Sequence, residues 1–208
     1  GYVDFDYFKI EDKISDCRWA DVCYADDELE GHKLDIYLPD TGKSSHKVVV
    51  LIYGSAWFAN NMKQNAFQVF GRSLLDKGFA VVSINHRSSR DAKFPAQIND
   101  VKAAIRFIRA NAAKYKLDTS FIGITGFSSG GHLASLAGTT NGVKSYTIGD
   151  KTVDLEGNVG EYFSFSSRVD AVVDWFGPID MTRMENCNTT KGANSPEAAL
   201  IGGIPADN

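Results

Sequence analysis

The sequence predicts an α/β protein with a mostly parallel, doubly wound sheet and an antiparallel N-terminal edge. Two continuous apolar, β-branched runs, Lys47 to Tyr53 and Phe79 to Asn85, are typical of strands that are covered on both faces. From residue 47 onward, helical patterns alternate with such strands, and the connections are short. Right-handed crossovers then place the helices on both faces of a parallel sheet.

Two earlier runs are predicted to form the antiparallel edge. The first strand-like run lies near Val22 to Ala25. Lys33 to Leu38 alternates apolar and polar side chains and stops at Pro39, which indicates a half-buried strand. Both runs precede the regular alternation, so we place them at the edge of the sheet.

Three helices and two further strands complete the predicted alternation. The clearest helix runs from Pro95 to about Tyr115, with one apolar stripe that repeats every three or four residues. The other elements are a helix over residues 64–77, strands over Phe121 to Thr125 and Val169 to Phe176, and a small-residue helix over Ser129 to Ala137. Residues 140–168 are polar and glycine-rich without a clean period, so we expect a surface excursion or a lid there.

Composition and charge restrict the class of protein. A chain of 208 residues with 43% apolar side chains is long enough for one domain with a sizeable core. The formal net charge is −4 and there is no dense Lys/Arg block, so nucleic acid is not an expected partner. The apolar runs are far shorter than the roughly 20 residues of a membrane span, so no membrane association is expected.

The three cysteines do not predict a disulfide scaffold, because an odd count leaves one of them over. If the residues between Cys17 and Cys23 are extended, the two Cα atoms lie ~20 Å apart. A disulfide needs less than about 7 Å. A turn at residues 19–21 would be required to bring the pair together, and we favour free thiols.

Residues just beyond the predicted strands carry the chemistry, because function collects at the carboxyl ends of strands in such sheets. The segment Gly126 to Gly130 (GFSSG) follows a strand and opens a helix, which is the context of a nucleophile elbow. Ser128 is the predicted nucleophile, and the small residues around it leave room for a strained turn. The Ser129 N–H lies at the helix N-terminus and is the first candidate oxyanion donor.

The second oxyanion donor is expected from the loop after the strand Lys47 to Tyr53. Small residues in this loop let backbone N–H groups approach a substrate carbonyl. The sequence leaves open which of Ser55, Ala56 and Trp57 donates. Four aromatic residues near strand ends are expected either to line an apolar or sugar-stacking cleft or to belong to the core: Trp57, Phe58, Trp175 and Phe176.

Several segments resemble the α/β-hydrolase fold, in particular the esterases with an HGG(G/A)W-type oxyanion loop. YGSAW, which begins at Tyr53, stands where that loop would be, GFSSGGHLA is similar to the elbow of the group, and FPAQINDVKAAIRFIR resembles the preceding helix. With DWFGPID, roughly residues 30–205 are similar to bacterial carbohydrate esterases related to acetylxylan and feruloyl esterases. Tyr53 replaces the usual His of the loop, and Ser55 replaces a Gly.

The resemblance implies a serine carboxylic-ester hydrolase that removes acetyl or feruloyl groups from plant polysaccharides through an acyl-Ser128 intermediate. The partner would be a small ester or an acylated carbohydrate, and the location a secreted or periplasmic one in a bacterium. No metal or other cofactor is expected, because no cluster has metal-ligand spacing and no phosphate-binding loop is present. The alternatives are an arylformamidase-like or peptidase-like amide hydrolase and a non-catalytic binding module that lacks its base.

A serine nucleophile needs a base, and in this fold an acid and then a histidine follow the serine. Among the four histidines only His132 follows Ser128, and it lies in the same helix, where we expect it to pack or hydrogen-bond beneath the elbow. His86 is expected to be structural or to line the pocket. We expect His32 and His46 to be solvated.

The acidic residues near strand ends have no histidine to orient. Asp174 and Asp180 are the nearest acids after Ser128 to a strand end. Asp180 is expected to line the site or to cap a helix, and Asp100 to be a carboxylate in the first turn of a helix or one that pairs with a loop. The resembling family continues with further strands that carry the acid and the histidine, on the order of 60 more residues. We therefore expect residues 1–208 to be a single, incomplete α/β-hydrolase domain, truncated before its last strands and inactive or very weak alone.

Overall fold

A mixed sheet with helices on both faces organises the computed structural model, which describes residues 17–186 and 190–207. Within these residues the strands are β1 (Cys17–Cys23), β2 (Lys33–Tyr37), β3 (His46–Ile52), β4 (Ala80–Ile84), β5 (Leu117–Phe127), β6 (Ser145–Ile148), β7 (Lys151–Asp154) and β8 (Ala171–Trp175). The main sheet has the order β1-β2-β4-β3-β5-β8, while β6 and β7 form a separate hairpin. β4, β3, β5 and β8 are parallel, and β1 and β2 form an antiparallel edge, which confirms the predicted class.

The helices connect the parallel strands and cover the sheet. They are α1 (Lys63–Ala66), α2 (Arg72–Asp76), α3 (Ala96–Ala110), α4 (Ser129–Thr139) and α5 (Pro196–Ile201), with a π-helical turn, Phe67–Gly71, between α1 and α2. Short 3-10 helices lie at Glu30–His32, Met181–Asn186, Gly192–Asn194 and Pro205–Asp207. No helix in the described ranges is long and apolar enough to cross a membrane.

The core lies on both faces of the sheet, as a doubly wound arrangement requires. Side chains of β3 alternate between the two faces. Val48, Val50 and Ile52 belong to the cluster that contains the apolar residues of α3 and α4. Val49 and Leu51 pack instead with the cluster under α1, the π-helical turn and α2.

Two predicted boundaries differ from the observed ones. The predicted helix from Pro95 to Tyr115 ends at Ala110, where Asn111 leaves the helical conformation with φ −107° and ψ 16°, and Lys116, with φ +55°, lies directly before the next strand. β5 consequently begins at Leu117, before the predicted Phe121, and pairs with the start of β3. β1 likewise ends at Cys23, so the first strand lies earlier than the predicted run near Val22 to Ala25.

Residues 140–168 hold the β6–β7 hairpin, whose side chains are largely exposed. The segment is tied to α3 through Arg106, whose guanidinium donates to the Val159 carbonyl oxygen over 2.9 Å and pairs with Glu156. Its function as a lid stays a prediction.

The cysteines of β1 are free thiols, as extended geometry predicts. Cys17 and Cys23 stand at opposite ends of the strand, and both are half-buried. Burial raises the pKa of the Cys17 thiol to about 11, so it is protonated at neutral pH. Cys187 lies outside the described residues.

Candidate active site

Ser128 occupies a strained turn between β5 and α4. Its backbone has φ +55° and ψ −123°, a conformation that costs a non-glycine residue on the order of 1–3 kcal/mol. The Ser128 N–H donates to the Trp175 carbonyl oxygen of β8 over 2.9 Å, and the Ser128 carbonyl accepts from the His132 N–H over 3.1 Å. These bonds hold the strained residue from both sides, as a nucleophile elbow requires.

Glycines allow three backbones to meet around the elbow. An ideal Cβ on Gly54 would lie 2.8 Å from the Cβ of Ser128 and 2.6 Å from the Phe127 carbonyl oxygen. One on Gly126 would lie 2.5 Å from the carbonyl of Gly130, and one on Gly130 would meet backbone carbonyls at the end of β3. The loop after β3 therefore passes in direct contact with the serine.

The loop after β3, residues 54–60, is termed the oxyanion loop below. The Ser55 N–H donates to the Ser129 Oγ over 2.9 Å, so this candidate donor is already engaged. Ala56 and Trp57 both have positive φ, +49° and +60°. Among the described residues, neither the Ala56 N–H nor the Trp57 N–H has a hydrogen-bond acceptor.

Ser129 begins α4 directly after the serine. The first N–H groups of an α-helix lack intrahelical acceptors and carry the positive end of its dipole. Since Ser129 is the first helical residue, its N–H lies at that end. The geometry therefore brings Ser128, the Ser129 N–H and the oxyanion loop to the same edge of the sheet.

The side chains of His132 and Trp57 contact each other beneath the Ser128 turn. The Trp57 Nε1–H donates to His132 Nδ1 over 3.3 Å, and the two rings meet edge to face at 5.3 Å. Burial lowers the pKa of His132 to about 4, so the imidazole is neutral at pH 7. The indole of Trp57 is 1% exposed and belongs to the core, which places it away from a substrate cleft.

His86 is a buried structural residue at the end of β4. Its ring stacks on Tyr53, with centroids 4.9 Å apart. Nδ1 lies 2.9 Å from the Arg87 carbonyl oxygen, which can only accept, so Nδ1 carries the hydrogen. Nε2 has no hydrogen-bond partner among the described residues, and burial lowers the pKa of His86.

The prediction that His32 and His46 are solvated is wrong. Both side chains are buried. His32 Nδ1 lies 2.7 Å from Asp27, and Nε2 lies 3.1 Å from Asp100. Although burial opposes the charge, hydrogen bonds with Asp100 and Asp27 raise the pKa of His32 above its ordinary value. His46 opens β3 opposite Leu117, and burial lowers its pKa.

Asp174 is a structural residue whose contacts the sequence reasoning missed. It lies on β8, where Oδ2 accepts from the Ser135 Oγ and Oδ1 accepts from the Gly177 N–H, both over 2.7 Å. An ideal Cβ on Gly131 would meet Oδ1. Asp174 thus joins α4 to the turn after β8, and the available signal was an acid within an otherwise apolar strand.

The other two candidate acids, Asp180 and Asp100, each accept hydrogen bonds from nearby backbone or side-chain groups. Asp180 Oδ1 accepts from the Thr182 N–H over 3.1 Å and so caps the 3-10 helix that begins at Met181. Asp100 is fully buried and accepts from the backbone N–H of Arg87 over 2.8 Å and from its Nη2 over 2.6 Å. Asp100 is therefore the loop-pairing carboxylate that the sequence suggested.

The remaining aromatic candidates occupy different places. Phe58 is 36% exposed in the oxyanion loop, and Phe176, with φ +49°, is 77% exposed just after β8. Trp175 is 45% exposed, but its ring stacks on Phe70 at 5.5 Å and lines an apolar cavity of about 280 Å³ on the α1–α2 face of the sheet. Of the four, Phe58 and Phe176 lie in loops directly beyond strands; Phe176 is largely exposed, and the ring of Phe58 is partly covered by the Arg90 guanidinium.

A metal centre finds no support in the described ranges, where no group of three or more His, Cys, Asp or Glu side chains could hold an ion.

A strained serine between a parallel strand and a helix, beside a glycine-containing loop at the carboxyl edge of the sheet, defines the α/β-hydrolase class. Residues 34–208 match the BD-FAE family, and the chain belongs to this family.

Two solved structures are similar to the chain at high identity. One is a bifunctional GH43-CE protein of Bacteroides eggerthii, with 92% identity and a TM-score of 0.89 over 95% of this chain and 28% of that chain. Another is a truncated form of a carbohydrate esterase from gut microbiota, with 62% identity and a TM-score of 0.86 over 89% of this chain and 65% of that one.

Two of the curated relatives are from Mycobacterium tuberculosis. The probable carboxylic ester hydrolase LipM is 33% identical over 169 residues, which cover 80% of this chain and 36% of LipM. Esterase LipQ is 34% identical over 139 residues, or 67% of this chain and 30% of LipQ. The chain therefore spans about a third of the length of these relatives.

Proposed function

We propose that the chain carries the nucleophile of a serine carboxylic-ester hydrolase, with Ser128 as that nucleophile. The observation that carries the proposal is the strained Ser128 backbone, held between β8 and α4 and in contact with the oxyanion loop. Such strain persists only where the surrounding structure enforces it, and it is concentrated at functional sites. The curated relatives that carry esterase names support the same class of reaction.

In the proposed reaction, the Ser128 Oγ attacks the ester carbonyl carbon and gives up its proton to a base. The tetrahedral oxyanion is stabilised by the Ser129 N–H and by the N–H of Ala56 or Trp57, since the Ser55 N–H is engaged with Ser129. The C–O bond to the alcohol then breaks, and the alcohol leaves with a proton. Water attacks the acyl-Ser128 ester, releases the acid and restores the hydroxyl.

The base is not supplied by the buried histidines next to the site. His132 Nδ1 accepts from Trp57, and burial keeps the pKa of His132 at about 4. His86 is fully buried: its ring stacks on Tyr53, Nδ1 donates to the Arg87 carbonyl oxygen, and Nε2, the nitrogen left to accept a proton, is closed off from solvent. We propose that an acid and a histidine from chain beyond residue 208 complete the site, in the order that α/β-hydrolases follow.

We further propose that the substrate is an acylated plant carbohydrate, carrying acetyl or feruloyl groups. The two similar solved structures bear carbohydrate-esterase names. The exposed parts of the Phe176 and Phe58 rings at this edge of the sheet are suited to packing against a sugar ring or a phenolic acyl group. An amide hydrolase of the arylformamidase or peptidase type remains the second candidate, because the same oxyanion loop serves amides.

The test uses the naturally expressed polypeptide that contains these residues. A fluorophosphonate is expected to label Ser128 stoichiometrically, and Ser128→Ala should abolish labelling, while Ser44→Ala, at an exposed serine before β3, should not. Hydrolysis of acetylated xylan or methyl ferulate without cleavage of formyl-arylamines would support the esterase. Absence of labelling together with absence of ester hydrolysis would favour the non-catalytic binding module.

A further inference from the structure

The segment Ser88–Asp91, termed the brace loop below, contacts the oxyanion loop at three points. The Ser89 N–H donates to the Trp57 carbonyl oxygen over 2.8 Å. The Asn60 Nδ2 donates to Asp91 Oδ2 over 2.9 Å. The guanidinium carbon of Arg90 lies 5.5 Å from the centre of the Phe58 ring. Each contact joins a different residue of one loop to a different residue of the other.

Asp91 is the centre of these contacts. Besides the Asn60 amide, its Oδ2 accepts from the Ser88 N–H and from the Ser88 Oγ, each over 2.8 Å. Although partial burial opposes ionisation, these donors hold the pKa of Asp91 below its ordinary value. One carboxylate oxygen thus fixes the conformation of the brace loop and also reaches the far end of the oxyanion loop.

The brace loop has a rigid base. It follows Arg87, whose backbone N–H and guanidinium both donate to Asp100. Asp100 is fully buried on α3, whose apolar residues form a large part of the core. The residue that precedes the brace loop is therefore held in place by an ion pair with a buried carboxylate, which anchors the start of the loop.

The oxyanion loop needs such a support because its backbone is strained. Ala56 and Trp57 are consecutive non-glycine residues with positive φ, and each such residue costs on the order of 1–3 kcal/mol unless its surroundings enforce it. The bond from Ser89 fixes the Trp57 carbonyl, and the bond from Asn60 to Asp91 fixes the end of the loop. The same strained residues present the N–H groups that have no acceptor.

We propose that Asp91 is a positioning residue for the oxyanion hole, acting through Ser88, Ser89 and Asn60 on the oxyanion loop. This inference rests on the proposed function of Ser128. Because the oxyanion forms only in the transition state, loss of the brace should lower kcat and leave KM nearly unchanged. The effect should be smaller than the roughly 10²–10³-fold loss that follows removal of an oxyanion donor itself.

The kinetic test compares variants of the naturally expressed polypeptide with p-nitrophenyl acetate as substrate. Asp91→Ala is expected to lower kcat about tenfold, with Asp91→Asn intermediate, because an amide oxygen still accepts from Ser88 but less strongly. Asp40→Ala, at an exposed acid after β2, is the matched control. The Asn60→Ala and Asp91→Ala double variant should lose no more than Asp91→Ala alone, since both remove one interaction. A change in KM alone, or a loss no greater than that of Asp40→Ala, would overturn the proposal.

Hydrogen–deuterium exchange separates this inference from the proposed function. In Asp91→Ala the amides of residues 54–60 should exchange faster, while those of β3 stay unchanged. If this occurs in a polypeptide that hydrolyses no ester, the proposed function fails although the brace is real. If esters are hydrolysed and exchange at residues 54–60 does not respond to Asp91→Ala, the brace is refuted and the function stands.

Discussion

At the scale of single residues, Gly54 shows how closely the chain passes Ser128, the proposed nucleophile. The site for a Cβ on Gly54 is already occupied by the Ser128 Cβ and the Phe127 carbonyl oxygen. Its φ is not in the left-handed region, so glycine is required there by contact and not by backbone conformation. Any larger residue must move the oxyanion loop away from the serine.

Gly54→Ala is expected to lower the free energy of unfolding by about 1–3 kcal/mol, the usual cost of overpacking, and to reduce ester hydrolysis strongly. The control is Gly123→Ala in β5, where the Cβ would lie 3.3 Å from the edge of the Phe121 ring, which can shift. Urea unfolding and initial rates measure the two effects. Equal losses in both variants would show that contact with Ser128 is not the cause.

Single residues also show what the sequence could reveal. The strained turn at Ser128 was predictable because its signal is local: a strand, a small-residue turn and a helix follow one another directly. Trp57 was not, because the sequence cannot distinguish an aromatic in a cleft from one in the core. Its hydrogen-bond partner, His132, lies 75 residues away in the chain, and this bond holds the indole in the core.

At the scale of elements, α4 combines two tasks. Its first residue presents an N–H beside Ser128, while His132, one turn later, binds the indole of Trp57 from the loop after β3. A neutral imidazole is needed for this bond, because the Trp57 N–H only donates. Protonation of His132 would therefore break this bond between the oxyanion loop and the helix, leaving the bond from the Ser55 N–H to the Ser129 Oγ.

The low pKa of His132 predicts that acid destabilises the fold. The unfolded chain binds a proton at His132 below about pH 6.5, whereas the folded chain does so only near a pKa of about 4. The unfolded state thus holds more protons in that window, and stability is lost as the pH falls through it, by roughly 3 kcal/mol at pH 4. In His132→Gln, urea unfolding from pH 7 to pH 4 should show a shallower loss. Parallel curves for variant and wild type would contradict this origin.

The sequence could not predict the polar contacts between residues that lie far apart in the chain. His32 looks like a surface residue between polar neighbours, yet it bridges Asp27 and Asp100, which lies 68 residues away. Asp91 and Asn60 are 31 residues apart and meet only because β3 and β4 are adjacent and parallel. Periodicity predicted the strands well, but it carries no information on which loop side chains face each other.

At the scale of the whole molecule, β8 is an edge strand of the described sheet and carries exposed apolar side chains. Val173 and Trp175 point to the α1–α2 face and line the cavity beside Phe70. Edge strands with exposed apolar side chains are sites of association between chains. We expect self-association of the 208-residue chain to occur mainly through this edge.

Val173→Lys should therefore reduce self-association of the 208-residue chain while changing its stability little, since Val173 is about half exposed. Ile148→Lys, at an exposed apolar residue of the β6–β7 hairpin, is the matched control and should have a smaller effect. Static light scattering across a concentration series measures both. A larger effect at Ile148 would locate the association in the hairpin.

The hydrogen bond from the Ser128 N–H to the Trp175 carbonyl has one more consequence. It makes the outermost strand of the described sheet a direct neighbour of the proposed nucleophile, with no intervening side chain. A strand added to the open side of β8, from any source, would polarise the same peptide groups that hold the serine. If Ser128 is the nucleophile, its reactivity and the pairing of β8 are linked through the Ser128 amide. The hydrogen-exchange rate of this amide would change when a further strand pairs with β8.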